Sequence, residues 1–364
     1  MKVAICTGKT GGHVFPALAV AHLLKEKSHV PFFIGTRQGL DKGILEKEGI
    51  CYKPISGCGL PVRPGLKTLK WGATLALGLA QVKRIFKENR PDVVLSFGGY
   101  ISTAPILVAR SMKIPIVIHE SNVQPGRANR FLARWARSIC TSFPVQWPAA
   151  SQHLVQVTGL PIREKFLDTD RGKSFKALGL DVNRFVILVM GGSLGSRRIN
   201  ECLVEALHDL GDLSKKIQIV HITGKNDYSR VVQHYEPNGI FYRAYPFVDE
   251  VEYAFHSADL FIGRAGASTL AEVTLCGLPS ILIPYPHAIE DHQMANATYL
   301  AHKGAARVLD EHQLSPRVLA DEIIRLVLND RLRASLAENS KKLGILDGVS
   351  RIVNVLQSVV HDNE

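Results

Sequence analysis

Several stretches of this chain combine glycines, hydroxyls and a helix start in an order suited to holding an anion. Thr7-Gly8-Lys9-Thr10-Gly11-Gly12-His13 follows the apolar run Val3–Cys6 and opens a helical pattern near Val14, with Pro16 in its first turn. Phe97-Gly98-Gly99-Tyr100 follows Val93–Leu95, and His119-Glu120-Ser121-Asn122, then Pro125-Gly126, follows Ile114–Ile118. Glycine lets the backbone approach a ligand closely, and a helix amino terminus adds free N–H groups and a positive dipole. A diphosphate is the natural guest. Gly8-Lys9-Thr10 is no P-loop, because Val3 stands five positions before Gly8 where that motif requires glycine. The GxGxxG spacing of dinucleotide sites is also missing.

The second half repeats the pattern. Met190-Gly191-Gly192-Ser193-Leu194-Gly195-Ser196 offers glycines and a hydroxyl for a phosphate. Arg163, just after Gly159-Leu160-Pro161, could reach the same charge or simply sit in solvent. Gly263 to Glu272 sets small residues at a helix start and a carboxylate inside that helix. Such a carboxylate can accept from vicinal ribose hydroxyls or form a surface ion pair. Pro284-Tyr285-Pro286-His287 leads through Asp291-His292-Gln293 to Asn296, with Gln293 and Asn296 one helical turn apart. His287 and His292 lack a third ligand, so no metal is expected, and no cofactor either.

The elements that must position these residues alternate along the chain. Short β-branched runs read as buried strands: Val3–Cys6, Val30–Ile34, Val93–Leu95, Ile114–Ile118 and Ile139–Thr141, then Phe185–Met190, Ile217–Ile222, Ile240–Tyr242, Leu260–Ile262 and Ser280–Ile283. Helical periodicity fills the gaps at Val14–Lys27, Thr68–Lys87, Ile199–Leu210 and His292–Lys303. The expected class is α/β: two Rossmann-like domains with parallel sheets facing across a cleft, with ligands at the carboxyl ends of the strands. The alternation pauses from Gly159 to about Asn183, so a linker is expected there. The domains are taken as 1–160 and 161–344, with a terminal helix over about 345–364 a candidate to pack back on the first.

With 364 residues, 46% hydrophobic and 21% charged, the chain can build two cores and is not a disordered or fibrous sequence. No apolar run approaches a bilayer span, and the amino terminus enters a strand directly without a signal-peptide pattern. The six cysteines are scattered and read as reduced packing residues. A formal charge of +11 points to a polyanionic partner: nucleic acid, an anionic membrane or a phosphorylated substrate. No aromatic–basic RNA element or helix-turn-helix pattern supports nucleic acid.

Taken in order, these motifs resemble the MurG family, bacterial transferases that move N-acetylglucosamine from UDP-GlcNAc to lipid I and so make lipid II for peptidoglycan. The resemblance runs through Thr10-Gly11-Gly12-His13, Pro16-Ala17-Leu18-Ala19, Gly98-Gly99-Tyr100, His119-Glu120 with Asn122, Pro125-Gly126, Ala128-Asn129, Gly191-Gly192-Ser193, Gly266 with Glu272, and Asp291-His292-Gln293 with Asn296-Ala297. It implies the GT-B fold, an inverting transfer to the C4 hydroxyl of the acceptor MurNAc, and roles in cell-wall biogenesis, cell shape and division. By the same resemblance, Arg163 and Ser193 meet the donor diphosphate and Val248 offers backbone groups to the uracil. Ala267, Ser268, Thr269, Leu270, Ala271 and Glu272 line the nucleotide, with Glu272 on the ribose, while Gln293, Thr10, Gly11, Gly12 and Asn122 hold the donor sugar. The acceptor diphosphate is expected on Gly11, Gly12, Gly98, Gly99 and Tyr100. His13 is the candidate base. Lys9, Ser121 and Thr103 depart from the usual glycine, glutamine and glycine of the family. Rival readings on the same fold are another glycolipid glycosyltransferase and a nonhydrolysing UDP-GlcNAc epimerase.

A polyprenyl-linked acceptor calls for membrane contact, expected at the cytoplasmic face of the bacterial inner membrane, with other cell-wall synthesis proteins as candidate partners. The stretch 60–90 is strongly basic and carries two apolar stripes at helical spacing. One is Trp71, Leu75, Leu79, Val82 and Phe86; the other is Leu69, Ala73, Ala76 and Ala80. A membrane surface is expected from Lys67, Lys70, Trp71, Leu75, Leu79, Lys83 and Phe86.

Overall fold

Buried parallel strands need apolar side chains on both faces, and the sequence supplies them in alternation. In β1 (Lys2–Cys6), Val3 and Ile5 enter one core cluster while Ala4 and Cys6 enter the other. The computed structural model describes residues 1–8, 11–36, 45, 48–57, 66–192, 194–235 and 240–362. The chain divides into two compact units, 1–163 with 347–364, and 164–346.

The first unit holds a seven-stranded sheet in the order β3-β2-β1-β4-β5-β6-β7. Its other strands are β2 (Val30–Thr36), β3 (Tyr52–Ile55), β4 (Val93–Ser96), β5 (Ile116–Glu120), β6 (Ser138–Thr141) and β7 (Val155–Val157). The helices Gly11–Glu26 and Gly348–His361 pack together on one face; Leu66–Asn89 and Thr103–Ser111 cover the other. The second unit holds β8 (Phe185–Met190), β9 (Ile217–Ile222), β10 (Phe241–Tyr245), β11 (Leu260–Gly263), β12 (Ser280–Leu282) and β13 (Ala306–Val308). Their order is β10-β9-β8-β11-β12-β13. All pairings in both sheets are parallel, with Val3 opposite Val93 at β1–β4 and Gly263 opposite Met190 at β8–β11. Strand order reverses between β1 and β4 and again between β8 and β11. These are the switch points where such sheets take ligands.

Several expectations need correction. His119 and Glu120 are strand residues, paired with Cys140 and Thr141. The strand starts two residues late because Ile114 still closes the preceding helix, its N–H donating to Ala109 O. The first helix begins at Gly11, not Val14, which places Pro16 inside it. The polar stretch after Gly159 folds into the helices Lys165–Asp168 and Arg171–Leu178, the second capped by Asp170 and ended by left-handed Gly179. Strands β3, β7 and β13 had no buried apolar run to announce them, and β3 even carries Pro54, a residue tolerated at a sheet edge. The stretch Asp330–His361 is long and apolar enough by composition to cross a membrane. It is instead two helices, Asp330–Leu343 and Gly348–His361, and Ile352, Val353 and Leu356 of the second are fully buried in the first unit's core.

Candidate substrate sites in the two units

At the first switch point, adjacent strands β1, β4 and β5 end in three turns. Gly8 has no room for a side chain: a Cβ there would lie 2.8 Å from His13 Nδ1, so the His13 ring rests on the Gly8 backbone. The turn of β4 uses Gly98 and Gly99 at φ +84° and +78°, and Gly99 packs against the Gly8 Cα. Ser96 and Ser102 fix this turn, the first accepting from Gly98 N and the second donating to Gly98 O. Tyr100, half-buried, then starts the turn into the Thr103–Ser111 helix.

The third turn is organised by one buried carboxylate. Glu120 Oε1 accepts from Asn122 N at 2.9 Å and Asn122 Nδ2 at 3.2 Å; Oε2 accepts from Gly126 N at 3.1 Å and Asn129 Nδ2 at 2.8 Å. Its role is to shape the loop that carries Asn122. Beside it, His119 donates from Nε2 to Gly159 O at 3.1 Å. Burial, against the raising effect of the Gly159 hydrogen bond and with a smaller contribution from neighbouring His13, holds the His119 pKa down at about 4, so this ring is neutral. His13 is also held below the ordinary histidine range, chiefly by burial, while the Glu120 charge pulls the other way. A ring that is neutral at physiological pH and electrostatically coupled to a carboxylate is suited to take a proton. Arg163, half-buried, stacks its guanidinium 5.3 Å from the Phe15 ring centroid, just above the first turn. Thr10 and Lys9 lie outside the described residues.

The second unit is built alike. Gly191 is pressed on Ser196, where a Cβ would meet Ser196 N at 2.2 Å. Gly195, at φ +80°, is pressed on the β9 turn, where a Cβ would lie 2.1 Å from Thr223 O. Ser193 lies outside the described residues. Of the six residues at the Ala267–Cys276 helix, Ala267, Ser268, Thr269 and Glu272 stand on accessible faces. Leu270 is fully buried, and Ala271 is nearly as buried. Val248 is half-buried in the turn after β10. Gln293 Oε1 accepts from Tyr285 N at 2.9 Å, and buried Asn296 donates to Ala265 O at 3.1 Å, tying the last polar cluster to the helix start. Glu290 and Asp291 precede that cluster at φ +53° and +54°, a strained pair for residues with side chains.

Two helix starts in the second unit follow the strands β8 and β11. Ser196 and Gly266 occupy the N-cap positions of Arg197–Ala206 and Ala267–Cys276, and neither makes a side-chain capping bond. No acidic residue sits in either first turn. Elsewhere in the second unit Asp170, Ser315 and Asn329 cap their helices, while Asp291 does not. Uncapped N–H groups without a competing carboxylate are what an incoming phosphate needs.

One residue absent from the sequence expectations holds the second site together. Arg264 is buried, donates to Ile283 O, Pro284 O and Ser196 Oγ, pairs with Glu311, and stacks on Tyr285. It thereby joins the turns after β8, β12 and β13.

The basic helix Leu66–Asn89 presents a different face from the one expected. Val82 and Phe86 are fully buried in the core, and Leu75 and Leu79 pack against it, so Phe86 takes no part in an outer surface. The stripe open to solvent is Ala73, Ala76, Leu77 and Ala80, with Lys83, Arg84 and Lys87 beside it. Trp71 is half-buried; the side chains of Lys67 and Lys70 lie outside the described part. The same face of the sheet carries a second exposed cluster. Phe131, 50% exposed, meets Trp135 edge-on, and the Arg134 guanidinium lies 4.1 Å from the Phe131 centroid.

Comparison with known proteins bears on both units. Residues 3–141 match the model of the glycosyltransferase family 28 N-terminal domain, and residues 186–352 that of its C-terminal domain. The chain is 39% identical, over 100% of both chains, to the UDP-N-acetylglucosamine–N-acetylmuramyl-(pentapeptide) pyrophosphoryl-undecaprenol N-acetylglucosamine transferase of Geobacter sulfurreducens. It belongs to the MurG family of glycosyltransferases. The crystal structure of Acinetobacter baumannii MurG matches 98% of this chain and 99% of its own with a TM-score of 0.80 at 29% identity. The fold is therefore GT-B. The UDP-GlcNAc 2-epimerase of Neisseria meningitidis matches 98% of this chain and 100% of its own with a TM-score of 0.67, but at 15% identity the likeness is one of fold alone.

Proposed function

We propose that the protein transfers N-acetylglucosamine from UDP-GlcNAc to the C4 hydroxyl of MurNAc in lipid I, inverting the anomeric centre and giving lipid II. The observation that carries this is 39% identity over the whole of both chains to a transferase of that name. The local chemistry agrees with it. In the second unit, the glycine turn after β8 and the uncapped start of Ala267–Cys276 supply N–H groups for the departing UDP. Glu272 receives the ribose, Val248 the uracil and Gln293 the sugar. In the first unit, Gly11, Gly12, Gly98, Gly99 and Tyr100 take the acceptor diphosphate and His13 takes the proton of the attacking hydroxyl. Incubation with UDP-GlcNAc and a lipid I analogue should add one N-acetylhexosamine to the analogue by mass spectrometry. Conversion of UDP-GlcNAc to its 2-epimer without any acceptor would support the epimerase instead.

The acceptor carries a polyprenyl tail, so we place the protein as a peripheral protein on the cytoplasmic face of the inner membrane. Leu77 with its basic neighbours, and Phe131 with Trp135 and the exposed Arg127, Arg130, Arg134 and Arg137, support this reading. Binding to anionic vesicles should weaken with salt. The double variant Arg130→Glu with Arg134→Glu should weaken it at least about tenfold, from roughly 1 kcal/mol per basic residue. Equal binding by this variant in sedimentation with anionic vesicles would remove the cluster from the surface.

A further inference from the structure

A closed polar network in the second unit's core has no part in the chemistry above. His221 in β9 is fully buried, with Nε2 2.9 Å from Asn200 Oδ1 and Nδ1 3.0 Å from Tyr235 Oη. Asn200 lies on the first turn of the Arg197–Ala206 helix, also fully buried, and its Nδ2 donates to Thr223 O at 2.9 Å and Asp227 Oδ2 at 3.1 Å. Since Asn200 Oδ1 can only accept, His221 Nε2 carries the proton, and Nδ1 must accept from the Tyr235 hydroxyl. Burial drives the His221 pKa down to about 3 and that of Tyr235 well up, so neither group changes charge at working pH. Every donor and acceptor of the two central side chains is thus assigned.

The network ends on backbone that the donor site uses. Thr223 O, held by Asn200, is the atom on which Gly195 is pressed, and Gly224 is packed against Leu194 O and Gly195. Thr223 also donates from N to Tyr245 O at 2.9 Å, at the end of β10 where the chain turns toward Val248. One buried cluster therefore sets both the outer half of the phosphate turn and the base of the turn assigned to the uracil. A plain packing role would call for an apolar side chain in this strand position. Instead a neutral histidine links strand, helix and turn with fixed donor and acceptor directions.

We infer that His221 is a positioning residue for the donor nucleotide, acting through Asn200 and Thr223 to hold the Gly191–Gly195 turn and the β10 turn in register for a uridine diphosphate. This deepens the proposed function and rests on it. The test measures UDP affinity by calorimetry, and separate donor and acceptor KM values with UDP-GlcNAc and a lipid I analogue, for the full chain and its variants. His221→Ala should raise the UDP Kd and donor KM about tenfold, the scale of one buried hydrogen bond, with the acceptor KM nearly unchanged. His221→Gln, whose amide nitrogen can replace Nε2 as donor to Asn200, should recover most of that loss. An unchanged UDP Kd in a folded His221→Ala protein, donor and acceptor KM values rising together, or no recovery in His221→Gln would each overturn the role. If His221→Ala does not fold, Tyr235→Phe decides: it removes only the hydroxyl that fixes the ring, and should raise the UDP Kd about threefold. No change there would also overturn it. Wild-type protein that fails to bind UDP at all would instead refute the functional reading, and this role with it.

Discussion

A His13→Ala variant keeps its affinity for UDP-GlcNAc and loses about 10²- to 10⁴-fold in kcat, the usual contribution of a positioned general base. The expectation follows from placement. His13 lies on the first turn of the Gly11–Glu26 helix, its ring against Gly8 and electrostatically coupled to Glu120. Burial lowers its pKa, so the neutral, proton-accepting form persists to lower pH than for an ordinary histidine. The sign is therefore definite: activity holds across neutral pH and falls on acidification, with the midpoint of kcat/KM below about 6.5. A midpoint above that value, or near-normal kcat in His13→Ala, would make the ring a packing element of the turn. In that case His13→Gln, which keeps polar contacts but cannot act as a base, would stay active.

The second large effect belongs to Gly195. A methyl group there meets two obstacles at once: a backbone at φ +80°, where side chains are strained, and Thr223 O only 2.1 Å from the new Cβ. The turn must move, and the N–H groups assigned to the donor diphosphate move with it. Gly195→Ala should raise the donor KM at least about 100-fold, since losing two aligned charge-assisted hydrogen bonds exceeds 2.7 kcal/mol, or roughly two factors of ten. Gly211 is the matched control, with φ +52° and nothing within 4 Å of its would-be Cβ. Gly211→Ala bears only the backbone strain, so it should cost some stability and leave the donor KM alone. Matching donor KM values in the two variants would detach the Gly191–Gly195 turn from donor binding.

What the sequence made legible follows a physical divide. Central strands such as Phe185–Met190 and Ile217–Ile222 read directly, because burial on both faces demands an unbroken apolar run. Edge strands Tyr52–Ile55, Val155–Val157 and Ala306–Val308 did not, since a half-exposed edge imposes no such run. The glycine turns were visible because positive φ and close backbone approach leave only glycine. Arg264 and His221 were not, because their meaning lies in partners distant along the chain. Arg264 finds Ser196 68 positions away, and His221 joins Asn200 and Tyr235 from three different elements. Glu120 looked like a turn residue and proved to be the buried acceptor that organises the loop after it. The helix Leu66–Asn89 shows the same limit from another side. Its period revealed two apolar stripes, but only contact with the sheet decided that Val82 and Phe86 face inward and Ala73, Ala76 and Ala80 outward.

The most direct test of the account is the rate of UDP release from UDP-GlcNAc by the purified protein, with and without a lipid I analogue. Release should depend on the analogue, with one GlcNAc appearing on it for each UDP formed. UDP release at the same rate without the analogue, or none in its presence, would contradict it.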